Sequence, residues 1–254
     1  DKALADCEKY GILALVDLHC APGGRDETTA NRMFRERKYQ DHFVQVWERI
    51  ARRYRGRSVV WAYDLINEPL SHEVAEGVDD WPALAMRAIA AIRAVDPDKP
   101  IVFEPGPYGD CLNLDHMEPL PVGNVIYSYH VYWPAEFTYQ GIRGRPVGID
   151  YPDETRGVPW NKDALRRAMQ PAIAFHRDFN VPIYIGEFSA VRWAPGDSAH
   201  RWLGDVIDLF EEQGWDWAYH AYREWNGWSV EYDEDPKSTR PSPTPTKRKQ
   251  LLLE

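Results

Sequence analysis

The 254-residue chain is long enough for one large α/β domain with a substantial core. Hydrophobic residues make up 44% and charged residues 28%, an ordinary globular balance that excludes a disordered chain. A net charge of −10 without a basic stripe excludes nucleic acid as a partner, and no run reaches transmembrane length, so no membrane partner is expected. Cys7, Cys20 and Cys111 form neither a disulfide framework nor a zinc pattern, and buried thiols are the expected reading.

Helix and strand patterns alternate along the chain. Leu4, Cys7 and Tyr10 stand at helical spacing, and Gly11 stops that helix. The chain opens inside this pattern, which predicts a longer parent. A strand from Ile12 to His19 follows, then a loop with Pro22-Gly23-Gly24. A helix over 41–54 puts Phe43, Trp47, Ile50 and Tyr54 on one face, and strand Val59–Asn67 comes next. A helix over 82–95 stops at Asp96-Pro97-Asp98-Lys99-Pro100, before strand Ile101–Glu104. Strand Val125–Tyr132 follows a long loop.

Leu165, Met169, Ile173 and Phe179 mark a further helix, with Pro171 inside it as a kink. Strand Ile183–Glu187 is next. Trp202, Leu203, Val206, Ile207 and Phe210 mark a helix closed by Gly214, and strand Asp216–Tyr222 follows. Residues 234–245 read as a Pro/Ser/Thr-rich loop, with Thr244-Pro245 capping a short helix from Lys247 to Leu253.

These are six β/α units, and strict alternation implies parallel strands joined by right-handed crossovers. No glycine-rich phosphate loop follows any strand, which argues against an open nucleotide-binding sheet. The expected fold class is therefore α/β, of the (β/α)8 barrel type. The whole of 1–254 reads as one barrel domain, incomplete at its N-terminus, because a barrel of this type has eight units.

Polar residues concentrate where the strands finish: His19, Asn67, Glu68, Glu104, His130, Tyr132, Glu187, and then Trp225 after the last strand. Any one of them reads most simply as a hydrogen-bonded cap. Six successive strands ending this way point to a site, because barrel enzymes place their chemistry there. Leu65-Ile66-Asn67-Glu68-Pro69 and Ile183-Tyr184-Ile185-Gly186-Glu187-Phe188 are apolar runs that end in glutamate. Two such carboxylates on distant strands are the equipment for cleaving a glycosidic bond.

On these residues the chain resembles glycoside hydrolase family 5, the cellulase-containing family of retaining (β/α)8 barrels, over nearly its whole length. The segments that carry the resemblance are Asp17-Leu18-His19 with Pro22-Gly23, Asn67-Glu68-Pro69, His130-Val131-Tyr132, Gly186-Glu187-Phe188 and Trp225. The resemblance implies that Glu68 is the acid/base and Glu187 the nucleophile, with carboxyl groups roughly 5–5.5 Å apart. It implies that Asn67 holds the sugar 2-hydroxyl and that His130 and Tyr132 hydrogen-bond the glutamates. His19 matches a substrate-binding residue, and Trp225 matches the platform under the sugar. Tyr108, Trp133, Trp160, Trp193 and Trp228 lie in loops near these ends as candidate subsite residues. Glu104 reads as a binding or structural acid.

The implied substrate is a β-1,4-glucan, cellulose or mixed-linkage β-glucan. The alternatives are mannan or β-1,3-glucan by the same mechanism, or an inactive barrel fragment that at most binds glycan. No cofactor is expected. No metal is expected either, since a metal-dependent barrel hydrolase wants paired histidines and no His-x-His occurs. The family's arginine near the end of its second strand has no counterpart here, which leaves Arg192 or Arg223 as candidates to pair with Glu187. Open strand edges predict either self-association of copies or cover by rearranged loops. Polymer substrates lie outside cells, so the parent is expected to be secreted or periplasmic.

Overall fold

A computed structural model describes residues 1–253. From the N-terminus the elements are α1 (Lys2–Tyr10), β1 (Ala14–Asp17), α2 (Arg37–Tyr54), β2 (Val60–Asp64), α3 (Trp81–Arg93), β3 (Ile101–Phe103), β4 (Val125–Val131) and α4 (Ala135–Thr138). There follow β5 (Asp153–Thr155), β6 (Val158–Trp160), α5 (Lys162–Ala168), α6 (Gln170–Phe179), β7 (Ile183–Phe188), α7 (Ser198–Gln213), β8 (Asp216–Trp217) and α8 (Lys247–Leu251). The residues gather into two compact units, 1–128 with 175–183, and 129–174 with 184 onward. Among the described residues no helix is long and apolar enough to cross a membrane.

In the first unit β1, β2, β3 and β4 pair in parallel in that order, with Leu15 opposite Ala62, Tyr63 opposite Ile101 and Phe103 opposite Tyr127. Parallel neighbours need a long return path, and α2 and α3 supply it. Gln40, Phe43, Trp47 and Ala51 recur every three to four residues and form the buried face of α2. Trp47 leans on Tyr63 with ring centroids 5.7 Å apart, and its indole N–H donates to the Leu65 carbonyl at 2.9 Å. Asp80 caps α3 by accepting from Ala83 N–H at 2.9 Å. The next residue, Trp81, stacks on Phe103 at 5.2 Å and donates to the Glu104 carbonyl at 2.7 Å. One buried indole per crossover helix thus fixes the chain just past a strand end. Each removes roughly 150–250 Å² from water, worth about 4–6 kcal/mol before conformational entropy is subtracted.

In the second unit β7 pairs in parallel with β8, Tyr184 opposite Asp216 and Ile185 opposite Trp217. Trp202, Leu203, Val206, Leu209 and Phe210 form the buried stripe of α7, and Gly214 ends the helix at φ 68°. Trp202 donates to the Trp133 carbonyl at 2.8 Å, again tying an indole to the chain beyond a strand.

Several boundaries differ from those expected. The strand over 216–222 is only Asp216–Trp217, although Ala218 N–H and His220 N–H still donate to the Ile185 and Phe188 carbonyls at 2.9 and 3.2 Å. The segment keeps company with β7 without a regular ladder. The helix over 165–179 is two helices, because Pro171 has no N–H to continue the first. The last helix starts at Lys247 as expected but ends at Leu251, and Thr246, not Thr244, is its cap, with its hydroxyl accepting from Lys249 N–H at 3.1 Å. The β5–β6 hairpin and α4 lie in stretches read as loop. Cys7 and Cys20 are not buried as expected, whereas Cys111 is.

Candidate active site

In the first unit the chain past β2 makes a tight, pinned turn. Asn67 N–H donates to the Leu18 carbonyl at 3.4 Å, and Leu70 N–H donates to Asn31 Oδ1 at 2.7 Å. Between them Glu68 sits at φ 46°, in the left-handed region where a residue with a Cβ is strained. Two groups hold it there. Its N–H donates to the buried Glu104 carboxylate at 2.8 Å, and its carbonyl accepts from Arg25 at 3.3 Å. Glu104 is therefore a structural acid that fixes the Glu68 backbone, with Trp81 fixing Glu104 in turn. Arg25 escaped the sequence reading because it stands in a loop with no strand-end signal. His19 is exposed, with Nδ1 2.9 Å from Asp17 Oδ2, and Tyr108 is exposed in the loop beyond β3.

In the second unit the site is built around the Glu187 carboxylate on β7. The Tyr132 hydroxyl donates to Oε2 at 2.7 Å, and His130 Nδ1 lies 3.7 Å from the same oxygen. Tyr132 and His130 leave one face of the β4 segment because they are two residues apart, which is how both reach one carboxylate. Tyr132 is itself wedged between aromatics, with ring centroids 5.5 Å from Trp228 and 5.1 Å from Tyr139. Trp225 stands edge-on to both Trp228, at 5.4 Å, and Trp193, at 5.7 Å. Trp193 donates to the Gln140 carbonyl at 2.9 Å, and the Trp228 indole nitrogen is buried with no hydrogen-bond partner among the described residues. Trp133 stacks on Tyr129 at 6.3 Å, and Trp160 ends the β5–β6 hairpin, half-buried.

His220 also faces Glu187, its Nδ1 3.5 Å from Oε1, and this contact escaped the sequence reading. Its place after β8 is the signal for it, but a strand over 216–222 puts it inside the element rather than at its end. Neither arginine proposed for Glu187 takes that place. Arg192 is buried and donates to the main-chain carbonyls of Asp233, Asp235, Pro236 and Ser238. Burial pulls its pKa down, with Asp233 and Asp235 opposing. Its task is to hold the loop after Trp228. Arg223 is exposed and pairs with Glu231 at 2.7 Å.

Parallel strands with Glu68 in the turn past β2 and Glu187 near the end of β7 are the arrangement found in barrel hydrolases. The comparisons place the chain within that class. Residues 1–231 match the family described as cellulase, glycosyl hydrolase family 5. The chain belongs to that family and is a glycoside hydrolase with an N-terminally incomplete barrel. It is 26% identical over 238 residues to endoglucanase C of Acetivibrio thermocellus, covering 84% of this chain and 68% of that protein. A crystal structure of a glycoside hydrolase is 27% identical with a TM-score of 0.80, covering 98% of this chain and 77% of the other. An endoglucanase from Thermotoga maritima is 25% identical with a TM-score of 0.72, covering 91% and 71%.

Tyr132→Phe keeps the ring between Trp228 and Tyr139 and removes only the hydroxyl. A hydrogen bond to a charged group is worth about 1.5–3 kcal/mol, so kcat/KM on a soluble glycan is expected to fall about ten- to a hundredfold with the fold retained by circular dichroism. Wild-type kinetics in this variant would mean that the contact with Glu187 has no part in turnover.

Proposed function

We propose that this chain cleaves β-1,4-glucosidic bonds in cellulose or mixed-linkage β-glucan with retention at the anomeric carbon. In the first step a Glu187 oxygen bonds to the anomeric carbon while Glu68 gives its proton to the departing sugar oxygen. In the second, Glu68 takes a proton from water, the water oxygen bonds to the anomeric carbon, and the bond to Glu187 breaks. Asn67 holds the 2-hydroxyl, His19 binds substrate, and Trp225 lies under the sugar at the cleavage point. Tyr108, Trp133, Trp160, Trp193 and Trp228 extend the binding surface.

The observation that carries this reading is the grip on Glu187. The Tyr132 hydroxyl donates to Glu187 Oε2 at 2.7 Å and holds the carboxylate in one orientation, which a nucleophile needs. Family membership and the endoglucanases among the relatives favour glucan as the substrate. A polymer substrate lies outside cells, which makes secretion of the parent protein part of the proposal.

The test is reducing-sugar release from mixed-linkage glucan, carboxymethylcellulose, mannan and β-1,3-glucan, with the anomer of the first product read by proton NMR. Release from the two β-1,4-linked glucans, as the β-anomer, is expected, falling by about a thousandfold or more in Glu187→Gln. Preference for mannan or β-1,3-glucan would overturn the substrate, an α-anomer the mechanism, and no release from folded protein the activity. Among the described residues β1 lies at one end of its sheet with Ile12 and Leu13 exposed beside it, and we propose that a second copy of this chain pairs there. Sedimentation velocity is expected to find a dimer or larger species, and a monomer at high concentration would contradict it.

A further inference from the structure

The Glu187 carboxylate has two oxygens, and the residues read from the sequence account for one. Tyr132 and His130 face Oε2. Oε1 faces His220 Nδ1 at 3.5 Å, and the other ring nitrogen, Nε2, lies 3.2 Å from Glu224 Oε2. The His220 side chain is only 17% exposed, Glu187 is 15% exposed, and Glu224 is 67% exposed. Trp228 stands edge-on to the imidazole, with centroids 5.2 Å apart, and limits how far the ring turns. A row of carboxylate, imidazole and carboxylate therefore runs from Glu187 toward solvent.

We propose that His220, held by Glu224, is the positioning residue of Glu187 and takes the role that an arginine has elsewhere in the family. The proposal rests on Glu187 being the nucleophile. Nδ1 stands 3.5 Å from Glu187 Oε1 and Nε2 stands 3.2 Å from Glu224 Oε2, so one ring spans both carboxylates and Glu224 sets the angle at which it meets Glu187. The carboxylate is then fixed from both sides, Tyr132 and His130 on one oxygen and His220 on the other, with its attacking direction set before substrate arrives. Glu224 acts one contact further out and touches no reacting atom.

Within this unit the charged and titratable groups facing this row are Glu187 on β7, His130 and Tyr132 on the β4 segment, and Glu224 in the loop after β8. A substrate with a dinitrophenolate leaving group needs no proton from an acid, so kcat/KM on dinitrophenyl β-cellobioside reads the nucleophilic step alone. His220→Gln is expected to lower it about ten- to a hundredfold. Glu224→Gln keeps an acceptor, removes the charge and lies at an exposed position; it is expected to lower kcat/KM less. The alkaline limb of the pH profile should move in both variants, which loss of packing alone would not cause.

Glu187→Gln on the same substrate separates the two readings. If it keeps wild-type kcat/KM, the nucleophile assignment falls and this proposal falls with it. If it is inactive while both other variants show wild-type kcat/KM and an unmoved alkaline limb, the positioning role alone is overturned.

Discussion

A parallel strand pair finishes both of its strands at one edge, and that single constraint organises this chain. Each strand must be followed by a long return, so its last residues are released from the ladder at a place where the backbone turns. The side chains of β2, β3 and β4 are mostly buried on both faces. The polar residues come just past the point where the ladder stops. Asn67 and Glu68 lie beyond β2, Glu104 beyond β3, and Tyr132 beyond β4.

What makes those turns exact enough for chemistry is a repeated use of indole. Trp47, Trp81 and Trp202 are each buried on a crossover helix, and each donates its N–H to a carbonyl just past a strand end. A tryptophan suits the task because its body fills the core while its one polar atom reaches the edge of it. The left-handed turn at Glu68 depends on this support: Trp81 holds Glu104, and Glu104 holds the Glu68 N–H. In the other unit, the aromatic cluster of Tyr139, Trp228, Trp225 and Trp193 presses on Tyr132, and Arg192 fastens the loop that follows it. Strain and support are local in each case, so the residues that matter are legible as pairs of donor and acceptor.

Periodicity predicted α2, α3, α7 and the long strands because each has a broad apolar face or an unbroken apolar run. It failed where the backbone is set by contacts from elsewhere. After Trp217 the chain follows β7 through isolated hydrogen bonds, so Tyr219 and Tyr222 looked like strand residues without being in one. The β5–β6 hairpin has only exposed or half-buried side chains and therefore no alternation to read. The carboxylates and their β4 partners were visible because they end apolar runs. Glu104 is visible as a strand-end acid, whereas Arg25 reaches the Glu68 carbonyl from a loop and no local pattern announces that contact. Arg192 was misread for the complementary reason: its charge was visible and its four carbonyl partners were not.

The most direct test of the account is to find the atom that becomes bonded to sugar. A 2-deoxy-2-fluoro-β-cellobiosyl fluoride forms the glycosyl-enzyme and then stalls, and peptide mass spectrometry locates the label. The account predicts one label, on the peptide that contains Glu187 and at that residue. A label on another carboxylate, or none on enzyme that still hydrolyses glucan, would contradict it.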